Sequence, residues 1–343
     1  MKFKKLVSLS LAMIMSAGML VGCSSGSNES SDEPIKVGMI TDVGGVHDES
    51  YNQTSWEGLQ AVQEELGKDK VEVKYLESTQ DADYVPNIEQ FVDDEYDLII
   101  GIGYKLADAI EDAAKDYPDQ KFAIVDHSYE KQPENVTSLL FENNVAAYLV
   151  GLIAGQMTET NKVAFIGGME SVVIEGFESG FKAGVHDANK DAEVLVQYAN
   201  SYSDAALGKS IATSMFANGV DIVFPCAGAV GNGSIEAAKE ANKLAIGVDK
   251  DQNYLAPDHV ITSAMKNVNI AIADVVKALV DGSYVSGEVK INTLATGSVG
   301  IAPTTEKNVP ADVLSFVEEK SKEIMDGKIK VPETEEEYKA YIK

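Results

Sequence analysis

The sequence predicts an α/β protein in which two similar lobes are joined by a hinge, as in a clamshell. From Ile35 onward, short apolar runs alternate with amphipathic segments of helical period, the pattern of parallel sheets flanked by helices. The runs are too numerous for one simple open sheet, so we expect two sheets between which the chain crosses three times. A (β/α)8 barrel is the alternative, because a repeated strand–helix pattern alone does not exclude it.

The apolar runs are short enough to be buried strands, and the segments between them carry one apolar face each. The predicted strands are Ile35–Ile40, Val71–Leu76, Leu98–Gly101, Phe122–Asp126, Val163–Gly167, Val194–Tyr198, Ile222–Cys226 and Leu244–Val248. The predicted helices are Asn52–Leu66, Tyr84–Val92, Leu106–Lys115, Val145–Thr158, Val172–Asp187, Ala205–Asn218 and Ser234–Asn242. The carboxyl ends of such strands share one edge of the sheet, where ligands bind.

Three segments interrupt the alternation and are the predicted crossings between lobes. The first lies near Asn135–Asn144 and contains the strand Val136–Phe141. The second is Val260–Lys266, which precedes a helix, and the third lies near Ile291–Gly300. These crossings assign residues 35–140 and about 264–292 to lobe 1, and about 141–263 and 293–343 to lobe 2. The acidic tail that follows Val331 is expected to be a loosely packed helix or a solvated cap.

The first 34 residues predict export. Lysines precede an apolar run, Leu6–Val21, which is too short for a confident membrane span and is followed, after one glycine, by Cys23. A cysteine after a small residue resembles a bacterial lipobox, in which Cys23 would receive lipid and become the mature N-terminus, residues 1–22 being removed as a signal peptide. Residues 23–34 would be a flexible tether. We therefore expect a protein held by lipid at the extracytoplasmic face of the cell membrane; a plain secretory signal is the alternative.

The amino-acid composition restricts the classes of ligand and partner that we expect. The net charge is −27 and the chain has no arginine, so a nucleic-acid partner is not expected, and carboxylate, phosphate or nucleotide ligands are disfavoured. Of the two cysteines, Cys23 is assigned to lipidation, which leaves Cys226 as an unpaired core residue. No spacing typical of a metal site and no nucleophile elbow occurs in the sequence.

Several motifs, in order, resemble those of the basic membrane protein family, the lipid-anchored substrate-binding proteins of ABC importers. The motifs are Thr41–Asn52, Trp56–Gly58, Gly101–Tyr104, Ile124–Asp126, Gly167–Glu170, Phe177–Phe181, Gly228–Gly233, Gly247–Asp249 and Ser263–Lys266. The resemblance implies a type I periplasmic-binding-protein fold of two Rossmann-like lobes, with neither catalysis nor a cofactor. Its best understood members are purine nucleoside receptors. We therefore expect a monomer that binds a purine nucleoside and works with an ABC permease and ATPase.

The resemblance also suggests polar ligand contacts. Asp42, after the first strand, would accept hydrogen bonds from the base, and Asp249 would accept both vicinal ribose hydroxyls. Asp126 would contact base or ribose, although a helix cap or a salt bridge explains it nearly as well. Lys266 would donate to the ligand or pair with Asp249 or Asp42, and a solvated surface lysine is the alternative. Ser50 and Asn52 are further candidates, although both fit a helix cap equally well.

Aromatic residues complete the expected site. Tyr51, where the family usually has phenylalanine, would stack on a purine face, and Phe177 would close the sandwich from the other lobe. Core packing is as good an explanation for Phe177. Tyr104 follows a strand end, and Gly228 belongs to a glycine-rich loop, Gly228–Gly233, where backbone is expected to approach the ligand.

Other functions remain open at this point. A sugar or riboflavin would suit the same fold, and the same clamshell could serve a sensory lipoprotein instead of an importer. A nucleoside hydrolase that uses Asp42, Asp126 and Asp249 is less favoured, because no nucleophile–base pair is visible.

Overall fold

Two six-stranded sheets, interleaved with helices, organise residues 33–343, the part of the chain that the computed structural model describes. The predicted signal peptide and the lipidation of Cys23 lie outside the described residues. Two open sheets correspond to the predicted α/β architecture with type I periplasmic-binding-protein lobes, and the barrel alternative is wrong.

The first sheet has the order β11-β5-β4-β3-β1-β2, and all its neighbouring strands are parallel. Its strands are β1 (Ile35–Ile40), β2 (Val71–Leu76), β3 (Leu98–Ile102), β4 (Lys121–Val125), β5 (Val136–Phe141) and β11 (Val289–Asn292). The second sheet has the order β12-β10-β9-β8-β6-β7, in which only β12 runs antiparallel to its neighbour. Its strands are β6 (Lys162–Gly167), β7 (Glu193–Tyr198), β8 (Ile222–Cys226), β9 (Leu244–Asp249), β10 (Val260–Lys266) and β12 (Val299–Ile301).

Ten α-helices occur in the described residues. They are α1 (Tyr51–Leu66), α2 (Tyr84–Asp93), α3 (Ala107–Asp116), α4 (Asn143–Met157), α5 (Val172–Ala188), α6 (Ala205–Ala217), α7 (Ala229–Glu240), α8 (Val268–Asp281), α9 (Ala311–Met325) and α10 (Glu335–Tyr341). Helix α4 is apolar on nearly every face and is almost wholly buried, because it packs between α5, α9 and the second sheet. Helix α9 had no counterpart in the sequence analysis.

The chain passes between the sheets three times. It leaves the first sheet after β5, returns after β10 through α8, which packs on α1, and leaves again between β11 and β12. Strand β10 stays in the second sheet through Lys266, two residues beyond the expected start of the return near 264.

The acidic tail folds as α10 and packs against α5. Lys182 of α5 donates to Glu335 at 2.5 Å, and the Tyr341 hydroxyl donates to Asp187 at 2.6 Å. The tail is therefore attached to the second sheet's helices by specific polar contacts.

Candidate functional site

Three aspartates lie at the carboxyl ends of strands from both sheets. Asp42 lies beyond the end of β1, Asp126 directly follows β4, and Asp249 is the last residue of β9. Asp126 and Asp249 have φ values of 64° and 66°, in the left-handed region that non-glycine residues rarely occupy. Such strained backbone clusters at functional sites, where the surrounding structure holds it.

The three carboxylates border one central cavity. It is lined by Asp42, Gly44, Asp48, Tyr51, Asn52, Gly103, Tyr104, Asp126, Val173, Ile174, Phe177, Tyr202, Cys226, Ala227, Gly228, Val248, Asp249 and Lys266. Nine of the ten predicted ligand residues are in this set. The tenth, Ser50, lies behind it and contacts Asp249.

Asp42 is held by hydrogen bonds from residues on its own side of the cleft. Its Oδ1 accepts from the Gly44 amide and from Asn52 Nδ2, both at 2.8 Å. Asp48 accepts from the backbone amides of Ser50, Asn52 and Gln53 and thereby caps α1. The sequence analysis missed Asp48, although an aspartate just before a helix is a signal for such a cap.

Ser50 occupies the N-cap position of α1, but its hydroxyl does not cap the helix. It donates instead to Asp249 Oδ2 at 2.5 Å, across the cleft. Asn52 links Asp42 to Asp48, to which it also donates at 3.0 Å. Asp48, and not Ser50 or Asn52, therefore provides the side chain that caps α1.

Burial raises the pKa of several carboxylates in the site. It raises the pKa of Asp42 and of Asp249 to about 6, despite the hydrogen bonds to Asp42 and the charge of Lys266 near Asp249. Burial also raises the pKa of Asp48. Additional donors would stabilise the ionised forms, so the cavity is suited to a ligand that brings N–H or O–H groups.

Lys266 is buried, with 2% of its surface exposed, and its ammonium donates to Asp126 Oδ2. The sequence analysis considered pairing with Asp249 or Asp42; the structure pairs it with Asp126, whose strand end it faces. Lys266 Nζ also lies 4.6 Å from the ring centroid of Tyr51. Among the described residues, neither Asp126 Oδ1 nor the Tyr51 hydroxyl has a hydrogen-bond partner, although both atoms are buried.

Aromatic rings reach the cavity from both sheets' elements. Tyr51 begins α1 on the first side, and Phe177 lies in α5 on the second. The hydroxyls of Tyr104 and Tyr202 are 3.3 Å apart and join the two sides. Tyr202 was not predicted; its position after β7, at a strand end like the others, was the available signal.

Gly228 lies at the expected place, but the glycine-rich loop after it does not exist. Gly228 has a φ of 55° and caps α7, which begins at Ala229, five residues before the predicted start. Gly233 serves helix packing, because a Cβ on it would lie 1.8 Å from the carbonyl oxygen of Ala205 on α6, whereas a Cβ on Gly231 would make only ordinary contacts.

Further contacts cross the cleft outside the cavity and form its rim. Asn232 donates to the carbonyl of Asp48 at 3.0 Å, and Gln252 donates to the carbonyl of Glu49 at 2.9 Å. Lys250 pairs with Glu57 at 3.0 Å. The structure is therefore a closed form of the cleft.

Within residues 33–343, no group of three or more acidic, histidine or cysteine side chains is arranged to hold a metal ion. Over the same range, no helix has the length and apolar character needed to cross a bilayer.

Two sheets whose strand ends face a common cavity have the arrangement of a type I periplasmic-binding-protein fold. The family model for PnrA-like ABC transporter substrate-binding proteins matches residues 35–335. This chain belongs to that family, which confirms the resemblance seen in its motifs. It is accordingly a substrate-binding protein and not an enzyme, and its family implies an extracytoplasmic location.

Individual relatives agree with this assignment. The chain is 42% identical to the CD4+ T-cell-stimulating antigen of Listeria monocytogenes, over 96% of this chain and 99% of that one. It is 38% identical to the ABC transporter nucleoside-binding protein BmpA of Lactococcus lactis, with the same coverage. A solved solute-binding protein of an ABC transporter system from Aeropyrum pernix superposes with a TM-score of 0.82 at 28% identity, over 90% of this chain and 96% of that one.

Proposed function

We propose that this protein binds a purine nucleoside in the central cavity and delivers it to the permease and ATPase of an ABC importer. The observation that carries the proposal is the pairing of aromatic and carboxylate groups from both sides of one enclosed cavity. A planar base would stack between Tyr51 and Phe177, and each stacking contact contributes about 1–3 kcal/mol.

The charges of the cavity favour a neutral ligand rich in donors. Asp42 and Asp249 offer carboxylate oxygens, whereas the ammonium of Lys266 is already bonded to Asp126. A phosphate or carboxylate ligand would lie beside these carboxylates without a cation that is free to pair with it. Burying such an unpaired anion would weaken binding. Base N–H groups would donate to Asp42, and two ribose hydroxyls would donate to Asp249. The printed name of the Lactococcus lactis relative, a nucleoside-binding protein, supports this choice.

The proposal extends to the whole molecule. The two halves separated by the three crossings would act as lobes that close on the ligand, and the permease would recognise the closed form. We also infer a monomer anchored through lipid on Cys23. Mass spectrometry of the protein from membranes would detect a lipid-bearing N-terminal peptide in the wild type, and Cys23→Ala would release the protein into the medium. Unmodified Cys23 would contradict the anchor.

Calorimetry on the chain from Ser24, refolded to remove carried-over ligand, tests the ligand. We would titrate adenosine, guanosine, inosine, cytidine, ribose, riboflavin and free bases. The expected result is tight binding of purine nucleosides, with ribose and cytidine much weaker. Binding of ribose or riboflavin with no response to nucleosides would overturn the ligand while leaving the transport class intact.

A further inference from the structure

A second cavity adjoins the central one on the side of the chain crossings. Asp126 and Val173 line both cavities. One wall is formed by the end of β5 and the start of α4, and the opposite wall by the first turns of α5. A ligand that extends past Asp126 would therefore enter the second cavity.

The second cavity presents acceptors over an apolar floor. Asn143 lines it, is only 7% exposed, and its side-chain oxygen has no hydrogen-bond partner among the described residues. Asp126 Oδ1 has no hydrogen-bond partner among the described residues either, although the Tyr51 hydroxyl lies close to this carboxylate. Val173 and the largely exposed side chains of Val172 and Ile291 supply apolar surface. A buried acceptor without a donor is unfavourable, so a ligand donor placed beside Asn143 would be favourable.

Positive charge is scarce around this space. No lysine is among its lining residues in the described part of the chain, and burial lowers the pKa of His127, which leaves its imidazole neutral at pH 7. Glu142 and Glu333 add carboxylates. The cavity therefore suits an apolar group that ends in a hydroxyl, an amine or an ammonium, and it disfavours phosphate.

The orientation of a nucleoside selects the group that would enter. With the 2′ and 3′ hydroxyls on Asp249 of the second sheet, the 5′ carbon points to the opposite side of the ribose. In this orientation the 5′ carbon would be directed towards Asp126, which lines both cavities and is bonded to Lys266. Resting on the proposed function, we propose that the second cavity is a subsite for neutral or cationic 5′ substituents, so that the protein accepts 5′-extended nucleosides and rejects 5′-phosphates.

Gly176 allows the subsite to be filled without disturbing the fold. It lies inside α5 and lines the second cavity but not the central one. A Cβ built on it meets nothing closer than the Glu333 carbonyl oxygen, at 3.9 Å. Alanine is favoured over glycine in a helix, so Gly176→Ala is a stable control and Gly176→Leu is the blocking variant.

The experiment measures the Kd of adenosine, 5′-methylthioadenosine, 5′-methylamino-5′-deoxyadenosine and adenosine 5′-monophosphate by calorimetry. Wild type and Gly176→Ala should bind adenosine and both 5′-extended nucleosides within about tenfold of one another, and bind the monophosphate far more weakly. Gly176→Leu should bind adenosine unchanged and lose about tenfold or more for the extended nucleosides.

Three results would overturn the subsite. They are wild-type protein that binds adenosine but not the extended nucleosides, a Gly176→Leu variant that binds all three equally, and a monophosphate that binds as well as adenosine. Wild-type protein that binds no nucleoside at all would instead reject the proposed function, and the subsite with it, so the two failures are distinguishable.

Discussion

The two sides of the cleft differ in how their polar groups are held. On the first side, Asp42 and Asp48 receive hydrogen bonds from residues of that same side. On the second side, the side chains of Asp249 and Lys266 bond, among the described residues, only to partners across the cleft, Ser50 and Asp126. Asp42 and Asp48 are therefore preorganised, whereas Asp249 and Lys266, like Asp126 of the first side, obtain their side-chain partners only on closure.

This difference shows where ligand binding is coupled to closure. A ligand shifts an open–closed equilibrium only by as much as it prefers one state. Groups of the second side gain both their cross-cleft partners and the ligand when the lobes close. We infer that the first side selects the ligand and that Asp249 and Lys266 convert its binding into closure.

Asp249→Asn is expected to have the largest effect on binding. The change keeps the shape but removes the charge that would accept two ribose hydroxyls and the Ser50 hydroxyl. Charge-assisted hydrogen bonds contribute about 1.5–3 kcal/mol each, so the Kd for adenosine should rise about a hundredfold. Calorimetry measures it, with Asp258→Asn, an exposed position after β9, as the control. Unchanged affinity in Asp249→Asn would remove this residue from the ligand site and break the proposed coupling.

Asp42→Asn should stabilise the ligand-free protein. Asp42 Oδ1 accepts both hydrogen bonds, and an asparagine oxygen can accept them equally. Because burial raises the pKa of Asp42 to about 6, its ionised form costs up to about 3 kcal/mol above pH 6, and this cost disappears as the pH falls towards 4. Thermal melts should show a higher Tm for the variant at pH 8 and no difference near pH 4.

The same variant should weaken nucleoside binding at pH 8, because a base N–H loses its carboxylate acceptor. If the variant were no more stable than the wild type at pH 8, burial of the ionised Asp42 carboxylate would carry no cost in folding free energy. Lower stability at both pH values would indicate that asparagine disrupts the hydrogen bonds from Gly44 and Asn52. The position would then require a carboxylate even in the ligand-free protein.

Tyr51→Leu tests the contribution of the aromatic face. Loss of one stacking contact should raise the Kd for adenosine by about tenfold to a hundredfold. Tyr51→Phe is the matched control: it keeps the ring and removes only a hydroxyl that has no partner among the described residues. If leucine and phenylalanine behaved alike, the ring would act as packing against Lys266 and not as a stacking surface.

Much of the site could be predicted because it depends on local pattern. Buried strands are short apolar runs, and parallel strands bring their carboxyl ends together, so Asp42, Asp126 and Asp249 could be placed at one cleft from order alone. The motif resemblance then singled out Tyr51 and Phe177. These residues line the central cavity, whereas their contacts with a nucleoside stay a prediction.

What the sequence did not reveal depends on tertiary packing. The partner of Lys266 could not be chosen among three aspartates without knowing which strand ends face each other across the cleft. The start of α7 was misplaced because glycines favour a loop in isolation, although Gly233 is here required by the close approach of α6. Tyr202 was missed although its strand, β7, was predicted, because it lies four residues beyond the strand end and its contact with Tyr104 depends on how the two sides approach each other.

The rim should contribute least. Lys250 and Glu57 pair across the cleft at 3.0 Å, but the glutamate side chain is 46% exposed. Exposed pairs contribute about 0–1 kcal/mol and weaken with salt. Glu57→Gln should therefore change the Kd for adenosine by less than about threefold at physiological ionic strength. Lys277→Gln, which breaks an exposed pair with Glu65 between α1 and α8 away from the cleft, is the control. A loss in Glu57→Gln as large as that in Asp249→Asn would place the control of closure at the rim, and the contrast between the two sides of the cavity would no longer explain it.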